Sequence, residues 1–166
     1  LDAALVDAGA VAEMDWVIRL ITEVRTVRSE MNVPAGAKIP AVLRGASDTT
    51  KSRLATHAAQ IHWLARLSEI ELDGAIPAGS VQTVVDEATL ALPLAGIIDL
   101  DQERARLAKE IDKLAGEIDK VDKKLGNANF MARAPEDVVA EQHERRAEAA
   151  AARAKLESAL QRLSAA

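Results

Sequence analysis

Histidines, thiols, hydroxyls and carboxylates are where a sequence most readily does chemistry, and here they are arranged for none of the familiar kinds. The chain has 166 residues, no cysteine and three histidines, His57, His62 and His143. Without cysteine there is no thiolate nucleophile, thiolate metal site or disulfide, and a reducing cytoplasmic location is expected. His57 and His62 stand five residues apart, which on a helix sets them about 140° apart, too far round to hold one ion together. His143 is isolated in a different segment. All three read as surface or packing residues. No glycine-rich loop follows a strand with phosphate-binding spacing. Glu110, Asp112, Glu117 and Asp119 alternate with Lys109, Lys113 and Lys120, the pattern of a solvated helix exterior rather than an acid/base pair. Catalysis by this chain is not expected, nor is a cofactor or metal of its own.

Binding chemistry is better represented. Arg25 and Arg28 are three residues apart and share one helix face beside an apolar stripe, with Arg19 further round. Their bland alternative is pairing with Glu23 and Glu30. A second cluster gathers Lys120, Lys123, Lys124 and Arg133 with Asn127, Asn129 and Phe130, and only Asp119 and Asp122 lie nearby. Such cations would engage phosphates and so position an RNA without reading its bases. Asn127 and Asn129 are expected to accept left-handed turn geometry. Phe130 either plugs the turn against Leu125 and Val138 or touches a partner. The net charge of −5 and pI near 5.3 exclude a strongly basic nucleic-acid coat or a polybasic anchor, though not a local basic face. No stretch nears the roughly 20 apolar residues of a bilayer span, so no membrane partner is expected.

The elements that must position these residues fall into two kinds. Residues 1–98 carry 8 basic and 12 acidic groups and most of the glycine and proline; residues 100–166 carry 13 of each sign and Pro135 alone. Of the 49% apolar residues, 34 are alanine, so small side chains between helices are expected rather than a thick aromatic core. In the first part, Val17, Leu20, Ile21, Val24, Val27 and Met31 predict an amphipathic helix over about 10–31, stopped by Asn32–Gly36. Lys38–Arg44 reads as a strand, and Pro40 marks it as an edge strand. Ser47 or Asp48 would cap a helix reaching about Leu67, with Leu54, Ile61 and Leu64 inward. Glu69–Leu72 is a short strand, and Ser80–Val85 with Ala88–Leu94 form a hairpin around Asp86 and Glu87. The expected domain, residues 1–98, is a small antiparallel sheet with helices against it.

From residue 99 to 166 the grammar changes. Leu107, Ile111, Leu114, Ile118, Val121 and Leu125 keep a 4-3-4-3-4 spacing, the seam of a coiled coil. Gly126–Asn129 breaks this helix, and Pro135 opens the next. The return helix, about 135–164, places Val139, Ala149, Leu156, Leu160 and Leu163 on one register with Gln142, Arg146 and Arg153 interrupting. Alanines 147 and 149–152 would let a partner approach closely. A nine-residue connection between helices of similar length favours antiparallel pairing. The fold class is therefore α+β, a small helix-plus-sheet domain followed by a long antiparallel two-helix coiled-coil hairpin.

Two segments carry a resemblance. Ile21–Pro34, with Arg-Thr-Val-Arg at its centre, looks like the helix that closes the anticodon-binding region of bacterial valyl-tRNA synthetases. Lys124–Glu141 looks like the tip of the C-terminal coiled-coil arm of the same family. The order and spacing of the two match, and the start at Leu1–Ala4 reads as a cut inside a longer polypeptide. The resemblance implies a non-catalytic, tRNA-binding C-terminal fragment of a class I ligase that joins valine to its tRNA with ATP and Mg²⁺. The family's HIGH and KMSKS motifs are absent here. It further implies that Arg25 and Arg28 face the anticodon side, and that Lys123, Lys124, Asn127, Asn129 and Arg133 lie along the arm at the outer corner of tRNA(Val). The partners implied are that tRNA and the rest of the synthetase, with the chain itself monomeric. Two other readings are the ribosome-binding coiled-coil tail of a translation-factor ATPase and a self-associating structural coiled coil. Against the first stands the α+β piece upstream, which such tails lack.

Overall fold

The structure, a computed structural model, describes residues 7–164; the start at Leu1–Ala4 lies outside them. The chain divides into two compact units, one running up to Leu100 and the other Asp101–Ser164.

The first unit opens with helix α1 (Ala8–Glu30), capped by the Asp7 carboxylate, which accepts from the amides of Gly9 and Ala10. All six residues of the expected apolar stripe are buried, joined by Trp16. Asn32, at φ 50°, turns the chain out of the helix. Strand β1 (Ile39–Arg44) follows, then helices α2 (Asp48–Thr56) and α3 (Ala58–Ala65), strand β2 (Leu67–Leu72), and the hairpin β3 (Ser80–Val85) and β4 (Ala88–Pro93). The hairpin turns on two residues, and Asp86 takes the positive φ of 52° that so tight a connection demands.

The sheet has the order β2-β1-β4-β3. It is antiparallel from β1 through β4 to β3, but β1 and β2 are parallel, so the expectation of an antiparallel sheet is corrected to a mixed one. The reason lies in the connection. Parallel neighbours need a crossover of about a dozen residues or more, and the stretch from Gly45 to Arg66, carrying α2 and α3, supplies it. Pro40 does not mark an edge either. Strand β1 is interior, and Pro40 falls at a register irregularity against β2 and outside its ladder with β4, so the missing amide costs no ladder bond. The inner strands β1 and β4 bury consecutive residues. At the outer edge, β2 leaves Ser68, Glu69 and Glu71 exposed.

The helix expected from Ser47 to about Leu67 is two helices. The Ser47 hydroxyl caps α2 by accepting from the Thr50 amide. His57 breaks the run at φ −108°, ψ 16°, and its Nε2 sits 2.6 Å from Glu13 Oε1 on α1. Arg66, left-handed at φ 54°, ends α3 and frees Leu67 to start β2. Leu54 and Ile61 are buried as expected, and Leu64 half-buried.

The second unit is a helical hairpin of α4 (Leu100–Leu125), a short α5 (Ala128–Arg133) and α6 (Glu136–Ser164). Two contacts show the antiparallel return. Arg104 near the start of α4 donates to the Leu163 carbonyl near the end of α6, at 3.1 Å. Asp122 near the end of α4 accepts from Arg146 nearer the start of α6, at 2.5 Å. On α4, Leu107 and Val121 are buried, and Ile111, Leu114, Ile118 and Leu125 half-buried. On α6, the buried residues are Gln142, Ala149, Ala159 and Leu163. Of the alanines at 147 and 149–152, Ala149 is buried and Ala150 half-buried, while Ala147, Ala151 and Ala152 face solvent. A helix with a single partner covers only one stripe.

Candidate nucleic-acid interface

The hairpin tip is built by local chemistry. Helix α4 ends at Leu125, with the Gly126 amide donating to the Asp122 carbonyl at 2.8 Å. Asn127 is extended (φ −83°, ψ 110°), and its side-chain oxygen accepts from the amides of Asn129 (2.9 Å) and Phe130 (3.2 Å). The left-handed geometry expected at Asn127 and Asn129 is thus corrected. Asn127 is the cap of α5, and Asn129 lies inside that helix. An asparagine oxygen serves orphan amides at a helix start as readily as its backbone serves a turn.

The charges sort themselves once the helices are in place. Lys123 Nζ lies 2.6 Å from Asp119, one turn back on α4. Asp122 is bound by Arg146 from α6, whose hydrogen bond holds the carboxyl below its usual range and raises the guanidinium. The two carboxylates that diluted the tip's charge in the sequence are therefore both engaged. Lys124 places its ammonium 4.9 Å from the centre of the half-buried Phe130 ring, a cation–π contact across the turn. Lys120, Asn129 and Arg133 are exposed. Lys123 and Lys124 at the end of α4, and Glu136 and Asp137 at the start of α6, also suit the helix dipoles.

One residue of this surface escaped the sequence reading. Arg145 lines a shallow cleft of about 280 Å³ with Glu117, Lys120, Val121, Lys124 and Gln142. Nothing in the spacing of α6 alone singles it out; only the fold-back sets it opposite Lys120 and Lys124. The cleft holds three cations against one carboxylate.

Arg25 and Arg28 belong to the other unit and are tied to backbone. Arg25 Nε donates to the Leu64 carbonyl at 3.0 Å, and Arg28 Nη2 to the Pro34 carbonyl at 3.1 Å. Arg25 remains exposed, whereas Arg28 is only 8% exposed. Burial, and then the nearby Arg66 charge, lower the Arg28 pKa. Glu23, an expected ion-pair partner, instead accepts from the Thr83 hydroxyl, and Arg19 pairs with Asp86 at 2.8 Å. Among the described residues no group of three His, Asp or Glu could hold a metal ion, and no helix is long and apolar enough to cross a membrane.

This geometry meets its relatives in comparison with known proteins. Residues 99–164 match the family described as the valyl tRNA synthetase tRNA binding arm. The chain is 52% identical over 163 residues to the valine–tRNA ligase of Caulobacter vibrioides, an alignment covering 98% of this chain and 18% of that protein. It is 52% identical over 153 residues to that of Gluconobacter oxydans, covering 92% and 17%. It is 46% identical over 158 residues to that of Agrobacterium fabrum, covering 95% and 17%. The chain thus spans less than a fifth of the length of the relatives it matches. A hairpin with its own capped tip, matched over its full length, and an α+β unit shared with the same proteins place this chain in the valine–tRNA ligase family, as the part that carries the tRNA-binding arm.

Proposed function

We propose that this chain is the non-catalytic, tRNA-binding C-terminal part of a cytoplasmic valine–tRNA ligase, and that its hairpin is a coiled-coil arm laid against the outer corner of tRNA(Val). The observation that carries this is the fate of charge at the tip. Asp119 and Asp122 are matched within the protein, which leaves Lys120, Lys124, Arg133 and Arg145 turned to solvent in an otherwise acidic chain. Phosphate contacts by these groups would fix orientation rather than read sequence. The gain to the reaction is positional, because a tRNA held at its corner keeps its acceptor end over a remote active site. ATP and Mg²⁺ would be handled by the rest of the synthetase, with this part acting as a monomer within it.

The test is the triple variant Lys120→Ala, Lys124→Ala and Arg133→Ala in the intact synthetase. The slope of log affinity for tRNA against log salt is expected to flatten by about one for each phosphate that is no longer neutralised. Valine-dependent ATP–pyrophosphate exchange is expected to stay at the wild-type rate. An unchanged tRNA affinity and salt slope would remove the tip from the binding surface.

A further inference from the structure

On the α+β unit, two adjoining grooves join into one positively charged strip. The larger, of about 540 Å³, lies between α1, the segment before β1, and α3, with Arg25, Lys38, Trp63 and Arg66 around it. The second shares Arg25, Leu64 and Arg66 with the first and adds Arg28. Among the described residues, four cations and no carboxylate line the pair, in a chain where acidic residues outnumber basic ones 26 to 21. Crowding like charges is unfavourable unless an anion joins them. The wall also holds an unmet donor, since Arg28 Nη1 is buried with no hydrogen-bond partner among the described residues. At the rim stands Trp63, 78% exposed, a large ring left in water beside the charges.

A flat aromatic face next to a row of cations matches the two parts of a nucleotide, a π-system and a phosphate. The groove's volume falls in the range of small-ligand sites. We propose that it takes an unpaired RNA nucleotide, with the base stacked on Trp63 and the phosphodiester held by Arg66, Lys38 and the free guanidinium edge of Arg25. This rests on the reading that RNA is the chain's partner, and it adds a binding point in a different unit from the arm. Sequence reading missed Lys38, Trp63 and Arg66 because they converge only through α3 and the left-handed turn at Arg66.

The chain carries its own reporter. Of its two tryptophans, Trp16 is fully buried, so emission changes on adding a ligand come from Trp63. The 166-residue chain is titrated with a single-stranded hexa-adenylate and, separately, with an abasic hexamer of equal charge. The adenylate is expected to quench Trp63 and bind more tightly than the abasic strand. Trp63→Ala should cost about tenfold in adenylate affinity, read by anisotropy of labelled strands, and leave the abasic strand unaffected. Lys38→Ala and Arg66→Asn, the latter suited to a left-handed backbone, should weaken both strands alike and each take about one off the salt slope. Equal adenylate affinity for wild type and Trp63→Ala, without quenching, overturns the proposal. If tRNA binding then still falls in the arm's triple variant, the arm reading survives alone; if neither set of variants alters RNA binding, both readings fall.

Discussion

In the α+β unit, Trp16, Leu20, Met31, Ile39, Leu43, Ile61, Leu90 and Leu92 are all fully buried; in the hairpin, the large side chains buried to that degree are Leu107 and Leu163. Their ion pairs differ in the same sense. Arg19–Asp86 and Lys51–Asp73, together with the His57–Glu13 hydrogen bond, join distant elements of the first unit. Arg104–Asp101, Arg106–Glu110, Lys123–Asp119 and Arg153–Glu157 run along single helices of the second, and Arg146–Asp122 crosses between them. One unit is held by contacts between remote parts of the chain, the other by each helix supporting itself and sharing a thin seam. A thin seam leaves most of each helix surface free to meet a partner, at the expense of local stability.

The largest loss of stability is expected from inside the first unit. Trp16→Ala empties a fully buried site and should cost about 3–5 kcal/mol in urea unfolding of the α+β unit. The helical signal of the arm should outlast it; a joint loss of both would show that the units melt together. The arm's counterpart is milder. Val121→Ala removes two carbons from the seam, worth about 1–2 kcal/mol at ~0.8 kcal/mol per buried methylene. Amide hydrogen exchange should speed up in α4 and α6 and stay unchanged in β1 and β4.

The smallest effect lies at the β3–β4 turn. The Glu87 carboxylate accepts from the Ser47 amide at 2.9 Å, a bond that heads the causes holding its pKa at about 2 instead of 4.5. The folded state therefore favours the charged form. Its contribution is complete above the ordinary glutamate range and lost as pH falls from 4.5 towards about 2. Glu87→Gln should lower the melting temperature slightly at pH 6, and the gap from wild type should close by pH 2. A gap that persists in acid would mean that the side chain acts through shape, not charge.

What the sequence made legible follows the range of the forces involved. The stripe of α1, the seam of α4 and the Asp86–Glu87 turn depend on neighbours a few residues away, and each lies where its periodicity or turn chemistry puts it. Pro40 misled because its edge preference assumes a full ladder, and a register irregularity inside the sheet satisfies proline equally well. His57, where the two helices part, meets Glu13 more than forty residues upstream, a contact that no local pattern could announce. At the tip, every cation but Arg145 could be read in advance, but which of them were already paired could not. Asp122 meets Arg146 only after the chain has folded back.

The outer strand β2 has one further consequence. Its unpaired amides and carbonyls offer a template on which a strand from another molecule could extend the sheet. Glu69 and Glu71 stand exposed along that border, so a second copy docking there would set carboxylates against carboxylates. Replacing both with threonine would leave the fold its β-forming residues while withdrawing its guard against fibrillar stacking.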